Sequence, residues 1–525
     1  MSGAEKKPVD GTAGPVVLAV LDGWGVGAPS THNAISTART PFLDKCRERY
    51  PYSELQAHGR YVGLLPDQEG NSEAGHMNIG AGRTVRQDII YVTEAIKDHT
   101  FFKNTAFKEA LTHAQKHKSR VHIMGLLSNT NSAHAAPEHL YALLDLMRAE
   151  QMKRVFLHLF TDGRDSPPFS ASHLLHSLEE HLDENQQIAS LMGRFYGMDR
   201  NKLWRRTETA YGCIVLGEGL AAPNAHSAIM RAYSRGESDE FIMPTVIVDE
   251  RHKPLAEVEE NDVIFFFNLR SDRARQMAKP FVQHDFEKMN DGAFKRRRLL
   301  RDIRFVAMTD FGPDLPSILT AFPSHDVPNA LPAVLAGRRQ FYIAESEKYA
   351  HVTYFFNGGY ADVLYGEERM RVPSAFVPHH DSKPGMRAQA IADEIVHRLK
   401  RGAHDFIVFN LANADMVGHT GNFQATVEAC EHVDQALGRI AKEVLAKKGH
   451  LIITGDHGNA ELKVNVDTGE VMTEHTTNPV PFYLISDRYR RKTVGAGMLA
   501  DVAPTILDIM NIPKPPEMTG FSLLR

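Results

Sequence analysis

Cysteine is scarce in this chain: there are three in 525 residues, Cys46, Cys213 and Cys430. They are far apart and odd in number, so no disulfide framework can be read, and a reducing compartment, the cytoplasm, is expected. No apolar run approaches the roughly 18 residues of a membrane helix, so no membrane segment is expected. There is no excess of positive charge either. Lys and Arg total 60 against 65 Asp and Glu, a net −5. That excludes a generally basic nucleic-acid coat and leaves no field to hold an anionic membrane. The opening MSGAEKKPVDGTAGP has no apolar core of a secretory signal, and residues 1–15 are expected to form a disordered lead-in. No internal repeat or low-complexity tract is visible. What remains is an ordinary globular composition, 42% hydrophobic and 24% charged. The length suffices for two large domains or three of about 150 residues, with cores that need no disulfides.

Short, continuously apolar runs recur: Val16 to Leu21, Val121 to Leu127, Val155 to Phe160, Val263 to Phe267, Phe406 to Phe409 and Leu451 to Thr454. Such runs suit strands buried on both faces, as in parallel sheets. Between them lie helical stripes. One is Leu140, Leu143, Leu144 and Met147. Another is Ile391, Ile395 and Leu399, followed by Gly402. A third is Val433, Leu437, Ile440 and Val444, with Gly449 expected as the left-handed residue that ends it. Strands alternating with helices predict an α/β protein.

Several runs end directly in acidic or polar residues. Leu21 is followed by Asp22, and Phe160 leads to Asp162, Arg164 and Asp165. Phe409 leads to Asn413 and Asp415, and Thr454 to Asp456 and His457. Ligands of open α/β sheets bind at the carboxyl ends of strands, so these side chains can converge from distant parts of the chain. Any one such Asp is more simply a loop or cap residue. Asp415-Met-Val-Gly-His419 places a carboxylate and an imidazole one helical turn apart. Asp456-His457 follows a strand, and His475, weak by itself, precedes the apolar Val480 to Ile485. Three His and three Asp suit two divalent ions of borderline hardness, such as manganese or zinc.

In Gly70-Asn-Ser72-Glu-Ala-Gly-His76 a small, glycine-flanked turn can present the Ser72 hydroxyl at a helix N-terminus as a nucleophile. The competing expectation is that Ser72 is only the N-cap. The middle of the chain carries arginines in defined motifs: Arg164, then Arg194 and Arg200, then Arg270 and Arg273. Arginine grips phosphate and carboxylate bidentately, which points to a small, doubly anionic substrate, with surface salt bridges as the alternative. The basic run from Lys295 to Arg301 is expected to be a solvated face or a domain joint.

Together these motifs resemble one family, the cofactor-independent phosphoglycerate mutases of the alkaline phosphatase superfamily. The segments are LDGWG at 21–25, GNSEAGHMNIGAGR at 70–83, DGRD at 162–165, GRFYGMDR at 193–200 and FNLRSDR at 267–273. They continue with ESEKYAHVTYFFNGG at 345–359, DMVGHTGN at 415–422, GDHGNAE at 455–461 and EHTTNPVPF at 474–482. The resemblance implies a phosphatase-like α/β domain, 16–86 with 320–525, interrupted by an inserted α/β domain, 87–319. It implies Ser72 as the phosphorylated nucleophile. One metal would sit on Asp415, His419 and His475, and a second on Asp22, Ser72, Asp456 and His457. Manganese is expected, with magnesium, cobalt or zinc as alternatives. Lys348 would reach the transferring phosphoryl group, and Arg164, Asp165, Arg194, Arg200, Arg270 and Arg273 would bind the substrate.

The implied reaction interconverts 3-phosphoglycerate and 2-phosphoglycerate without 2,3-bisphosphoglycerate, in a cytoplasmic monomer, with domain closure excluding water. A related phosphohydrolase or phosphomutase would share the metal residues but not the arginine motifs, and a non-catalytic relative that kept the fold is opposed by chemically competent residues at all seven ligand positions. One segment departs from the family's S-D-G-G-V-H-S-H. Here residues 128–137 read SNTNSAHAAP, one residue longer. His134 takes the place of the substrate-binding histidine, and His139, on the next helix, is expected to be replaceable at little cost.

Overall fold

Every apolar run named above forms a strand, and with the partial exception of Phe156 all their residues are buried. The computed structural model describes residues 14–525 apart from 130–131, 313, 316, 324–326, 378 and 466–467. Most of the expected lead-in, and Thr130 and Asn131 of the altered loop, therefore lie outside the described residues. The chain divides into two compact units, Met1–Gln87 with His325–Arg525, and Asp88–Ser324. Each is α/β around one eight-stranded, largely parallel sheet. No helix among the described residues is long and apolar enough to cross a membrane.

The sheet of the first unit runs, edge to edge, Glu368–Val372, Gln340–Glu345, Phe406–Leu411, Val16–Leu21, His450–Gly455, Val480–Ile485, Tyr52–Gln56, Gly497–Met498. Only Val480–Ile485 runs against the rest. Leu21 is level with Leu411 on one side and Gly455 on the other. The residues that follow these three strands thus emerge side by side at one edge. Thr454 pairs with Phe482 in the antiparallel strand, so the segment before Val480, which contains His475, arrives at that same edge.

The second unit's sheet runs Leu319–Phe322, Arg304–Thr309, Val263–Phe266, Val121–Leu127, Val155–Thr161, Gln186–Gly193, Thr245–Ile247, Leu220–Ala222. Its first six strands are parallel. Phe107 packs against Phe101 (centroids 4.9 Å apart) and Phe265 (5.7 Å), joining a helix to the sheet.

Three local expectations are corrected. The stripe from Val433 to Val444 belongs to Phe423–Ala446, but the left-handed residue after it is Lys448 (φ 54°), not Gly449. The Lys448 N–H donates to Leu445 O (2.9 Å) and the Gly449 N–H to Val444 O (2.8 Å), which is a Schellman closure. Gly449 is needed for space instead, because a Cβ there would lie 2.5 Å from Pro15 O at the start of the central strand.

The basic run is not a bare solvated face. The Arg296 side chain is 5% exposed, ion-pairs Glu287 (3.1 Å) and donates to Gln283 O (2.8 Å). Arg298 donates to Glu257 (2.9 Å) and Val215 O (2.7 Å), and Arg297 pairs with Glu218. Arg296 and Arg298 thus tie the run into the second unit, whereas Lys295, Arg297 and Arg301 are exposed, as a solvated face would be. His139, on Pro137–Ala149, is fully buried and its Nε2 lies 2.9 Å from Thr93 Oγ1, so it is a core residue rather than a replaceable one.

Burial pulls the His139 pKa down to about 3. In the unfolded chain the ring titrates near 6.5, so between these values the unfolded state binds a proton that the native state refuses. Stability from this group is therefore lost as pH falls below about 6.5, at up to about 1.4 kcal/mol per pH unit. Urea midpoints should drop across pH 6.5 to 4, and more gently in His139→Gln, which has no such proton to bind. Equal slopes would contradict this.

Candidate active site

In the first unit the edge geometry places four charged side chains together. Asp22, Asp415 and Asp456 follow adjacent parallel strands, and Lys348 follows the next one, Gln340–Glu345. All four are buried. The Lys348 ammonium lies 2.6 Å from Asp22 Oδ1 and 2.7 Å from Asp415 Oδ2. Burial alone would lower its pKa, but the Asp22, Asp415 and Asp456 charges outweigh burial and raise it, so it stays a cation.

Ser72 opens the helix Ser72–Ala81. The N-cap is Asn71, not Ser72: the Asn71 side chain accepts from Ala74 N at 2.9 Å. Relieved of capping, the Ser72 hydroxyl lies 2.7 Å from Lys348 Nζ, 3.1 Å from Asp22 Oδ1 and 3.0 Å from His457 Nε2. The helix packs tightly against the strand ends, since a Cβ on Gly75 would stand 2.6 Å from Asp456 O.

The histidines are oriented in one way. His419 Nδ1 faces Thr473 O (2.7 Å), His475 Nδ1 faces Gly70 O (2.8 Å) and His457 Nδ1 faces Gly458 O (3.2 Å). A carbonyl only accepts, so each Nδ1 carries a proton, and each ring, once neutral, turns its Nε2 lone pair inward. His419 Nε2 and His475 Nε2 are 3.2 Å apart, and each is 3.2 Å from Asp415 Oδ1. Three acceptors face one another there with a carboxylate among them, an arrangement that a bound cation satisfies. A second acceptor group is Asp22, Asp415 and His457.

Asp456 Oδ2 is buried without a hydrogen-bond partner. His76 Nδ1 is 3.2 Å away, but Ser72 O lies closer to it (2.8 Å) and takes its proton. In the absence of a cation, His457 is pushed up to about 9. Burial opposes this, and Asp456, Asp22 and Asp415 override it. His475 is held down near 4, by burial first and then by the His457 charge. Donor set, tautomers and the orphaned Asp456 oxygen all fit divalent metal ions.

The second unit repeats the edge device with the opposite sign. Arg164 and Asp165 follow Val155–Thr161, Arg194 follows Gln186–Gly193, and Arg270 and Arg273 follow Val263–Phe266. Asp162 organises the first group. Its Oδ1 accepts from Arg194 Nη1 (2.5 Å) and from the Arg164 and Asp165 N–H groups (3.1 and 3.0 Å), while Ser128 donates to Oδ2. Asp165 pairs with Arg194 (3.0 Å) and accepts from Ser132 (2.7 Å). Asp272 gathers Arg200 (2.8 Å) and Arg270 (3.3 Å).

Arg273 is partly buried. Burial, and then Arg200, Arg164 and Arg194, lower its pKa, with Asp272 opposing. Guanidinium does not shed its proton, so this crowding is a standing excess of positive charge that an anion relieves. His134 lies in the same group. Its N–H donates to Ser132 Oγ (3.1 Å) and its carbonyl accepts from Leu269 N (2.7 Å), which ties the altered loop to the arginine segment. Burial, then Arg194, lowers its pKa to about 3, and its Nδ1 has no hydrogen-bond partner.

The structure therefore gathers Asp22, Ser72, Lys348, Asp415, His419, Asp456, His457 and His475 in one unit, and His134, Arg164, Asp165, Arg194, Arg200, Arg270 and Arg273 in the other. Sequence reasoning missed several supporting residues. His76, one turn after Ser72 on the same helix face, was signalled by its motif. Asn410, which donates to Asp22 Oδ2 at 2.6 Å, was not, because it sits inside an apolar strand. Asp272 lies inside the FNLRSDR motif, between the two arginines it accompanies.

The model of the metalloenzyme superfamily matches residues 14–514. The 2,3-bisphosphoglycerate-independent phosphoglycerate mutase of Moorella thermoacetica is 45% identical over 514 residues, covering 97% of this chain and 98% of that protein. Its counterpart in Thermomicrobium roseum is 46% identical over 517 residues, covering 97% and 98%. Phosphoglycerate mutase from Leishmania mexicana, in a crystal structure at low cobalt concentration, matches with a TM-score of 0.89 at 31% identity, covering 98% of each chain. On this extent of likeness the chain belongs to the 2,3-bisphosphoglycerate-independent phosphoglycerate mutases of the metalloenzyme superfamily.

Proposed function

We propose that this protein interconverts 3-phosphoglycerate and 2-phosphoglycerate through a phosphorylated Ser72. The observation that carries the reading is the Ser72 hydroxyl, freed from capping and held between Lys348, Asp22 and His457 at a helix N-terminus. Asp415, His419 and His475 would hold one divalent ion, and Asp22, Ser72, Asp456 and His457 a second, manganese being the first choice. When bound, such ions lower the pKa of a coordinated hydroxyl and offset charge on a transferring phosphoryl group. The relatives' names supply the substrates, and the Leishmania mexicana structure supplies cobalt as a second candidate ion. A cytoplasmic monomer is part of the same proposal.

The chain's own residues account for the remaining steps. Ser72 Oγ gives up its proton and forms a bond to phosphorus as the bond to the glycerate oxygen breaks, and that oxygen takes up one proton in its place, so no net proton is gained or lost. The Lys348 ammonium, which stays charged, neutralises the phosphoryl oxygens, and the helix N-terminus favours the added negative charge. Arg270 and Arg273, with Arg164, Arg194 and Arg200, bind the carboxylate and phosphate and retain glycerate while it turns over. His134 and Asp165 contact its hydroxyls. The other hydroxyl of glycerate then takes the phosphoryl group back from Ser72. Water must stay out, or the phosphoserine is hydrolysed.

Ser72→Ala should fall below a tenth of wild-type mutase activity in an assay free of 2,3-bisphosphoglycerate, and should incorporate no phosphate. Metal content is measured alongside, since the hydroxyl is also a proposed ligand. A variant with most of its activity refutes the nucleophile. Release of inorganic phosphate by the wild type without isomerisation would favour a phosphohydrolase.

His457 must lose a proton to become a ligand, and without metal it is held protonated up to about pH 9. Metal uptake therefore expels a proton below that pH, and protons compete more strongly as pH falls. Mn2+ binding followed by calorimetry in two buffers should show proton release at pH 7.5. Chelation should abolish activity, Mn2+ should restore it, and the Mn2+ needed should rise on acidification. Full activity after chelation would remove metals from the reading.

A hydrogen bond to a charged group contributes roughly 1.5–3 kcal/mol, so Arg270→Ala and Arg273→Ala should each lower kcat/KM by more than tenfold. Lysine should rescue poorly because it lacks the planar fork. Near-normal kinetics in both alanine variants would return these residues to surface ion pairs.

A further inference from the structure

A lysine is buried behind the candidate metal ligands, and nothing in the reaction described above uses it. Lys463 is 1% exposed. Its backbone is pinned on both sides, the N–H to His32 O (2.9 Å) and the carbonyl to Met472 N (3.0 Å). Its Nζ ends 2.5 Å from the side-chain oxygen of Asn459. Asn459 is fully buried, and its Nδ2 donates at 3.2 Å to Asp415 Oδ1. That oxygen is the one lying 3.2 Å from both His419 Nε2 and His475 Nε2.

We propose that Lys463 is a positioning residue that locks the Asn459 amide in the orientation that holds Asp415 for metal binding. The proposal rests on the metal site of the preceding reading. Its physical basis is the donor inventory. An ammonium has donors only, so the amide must turn its oxygen toward Lys463 and its NH2 toward Asp415. Flipped, the amide would set a carbonyl oxygen against a carboxylate oxygen and an NH2 against an ammonium, two repulsive contacts in a buried site. Gly418 makes room for the observed orientation, since a Cβ there would fall 2.3 Å from Asn459 Oδ1. A second buried group, Glu461, holds the Asn459 backbone N–H at 2.8 Å, so the amide pivots on a fixed main chain.

The test measures Mn2+ dissociation constants of metal-depleted, full-length protein by chelator competition, with thermal melting to verify folding. Partners of a metal ligand typically change affinity 10–100-fold when lost. Lys463→Met and Asn459→Ala should each weaken the Asp415-dependent Mn2+ site at least tenfold. The double variant should bind no more weakly than Asn459→Ala alone, because the lysine acts through the amide. Lys463→Gln, whose NH2 can still face the Asn459 oxygen, should stay within about threefold of wild type. Binding within twofold of wild type in a folded Lys463→Met variant overturns the proposal, as does additive weakening in the double variant. A tenfold loss in Lys463→Gln also overturns it, and that arm stands if the methionine variant does not fold. Wild-type protein that binds no Mn2+ would instead defeat the metal reading itself.

Discussion

Three carboxylates, those of Asp22, Asp415 and Asp456, are buried together at the ends of three adjacent strands, and the first unit is arranged around meeting their charge. Burying one unpaired carboxylate is costly, and burying three in contact is prohibitive without cations. Lys348 meets two of them directly. Backbone N–H groups of Gly23 and His457 meet Asp456 Oδ1 at 3.2 and 3.0 Å, and Asn410 meets Asp22. One buried oxygen of Asp456 is left over, and three imidazoles anchored through Nδ1 point their Nε2 atoms at the cluster. The deficit of positive charge is thus built in, and it has the form of a site for divalent ions.

The second unit solves the opposite problem with the same topology. Arginines, rather than carboxylates, gather at the ends of parallel strands. Asp162, Asp165 and Asp272 orient them without neutralising them all, as the suppressed pKa of Arg273 records. In both units a parallel sheet lets residues far apart in the chain emerge at one edge, where the loops are free to carry charge because the strands carry the core. In the first unit the antiparallel strand, Val480–Ile485, serves the same end by delivering His475 from its upstream side.

Much of this was legible in the residues. The apolar runs specified strands because only a sheet covered on both faces buries every residue of a run such as VVLAVL. The stripes of Leu140 to Met147 and Ile391 to Leu399 specified helices because 3.6-residue periodicity has one folded solution. Acidic residues directly after strands, and arginines in motifs, marked candidate ligands by their chemistry. The altered loop at 128–137 still carried its histidine to the arginine group, since Ser132 and Leu269 hold His134 from either side.

What stayed hidden depended on partners distant in the chain. Lys448 takes the left-handed turn because Gly449 is needed against Pro15, more than 400 residues away. Arg296 to Arg298 read as solvated charge until Glu287, Glu257 and Glu218 were placed beside them. The burial of His139 follows from the helix face it occupies, which is turned inward. Nothing in the residues around Lys463 announces a buried ammonium aimed at Asn459. The sequence by itself determined which segments are strands and helices and which side chains have the chemistry of ligands, because local periodicity and functional groups are properties of neighbouring residues. Tertiary structure alone decided which charges are buried, how the imidazoles are turned and which polar groups support them, because burial and hydrogen-bond direction are set by whatever packs opposite.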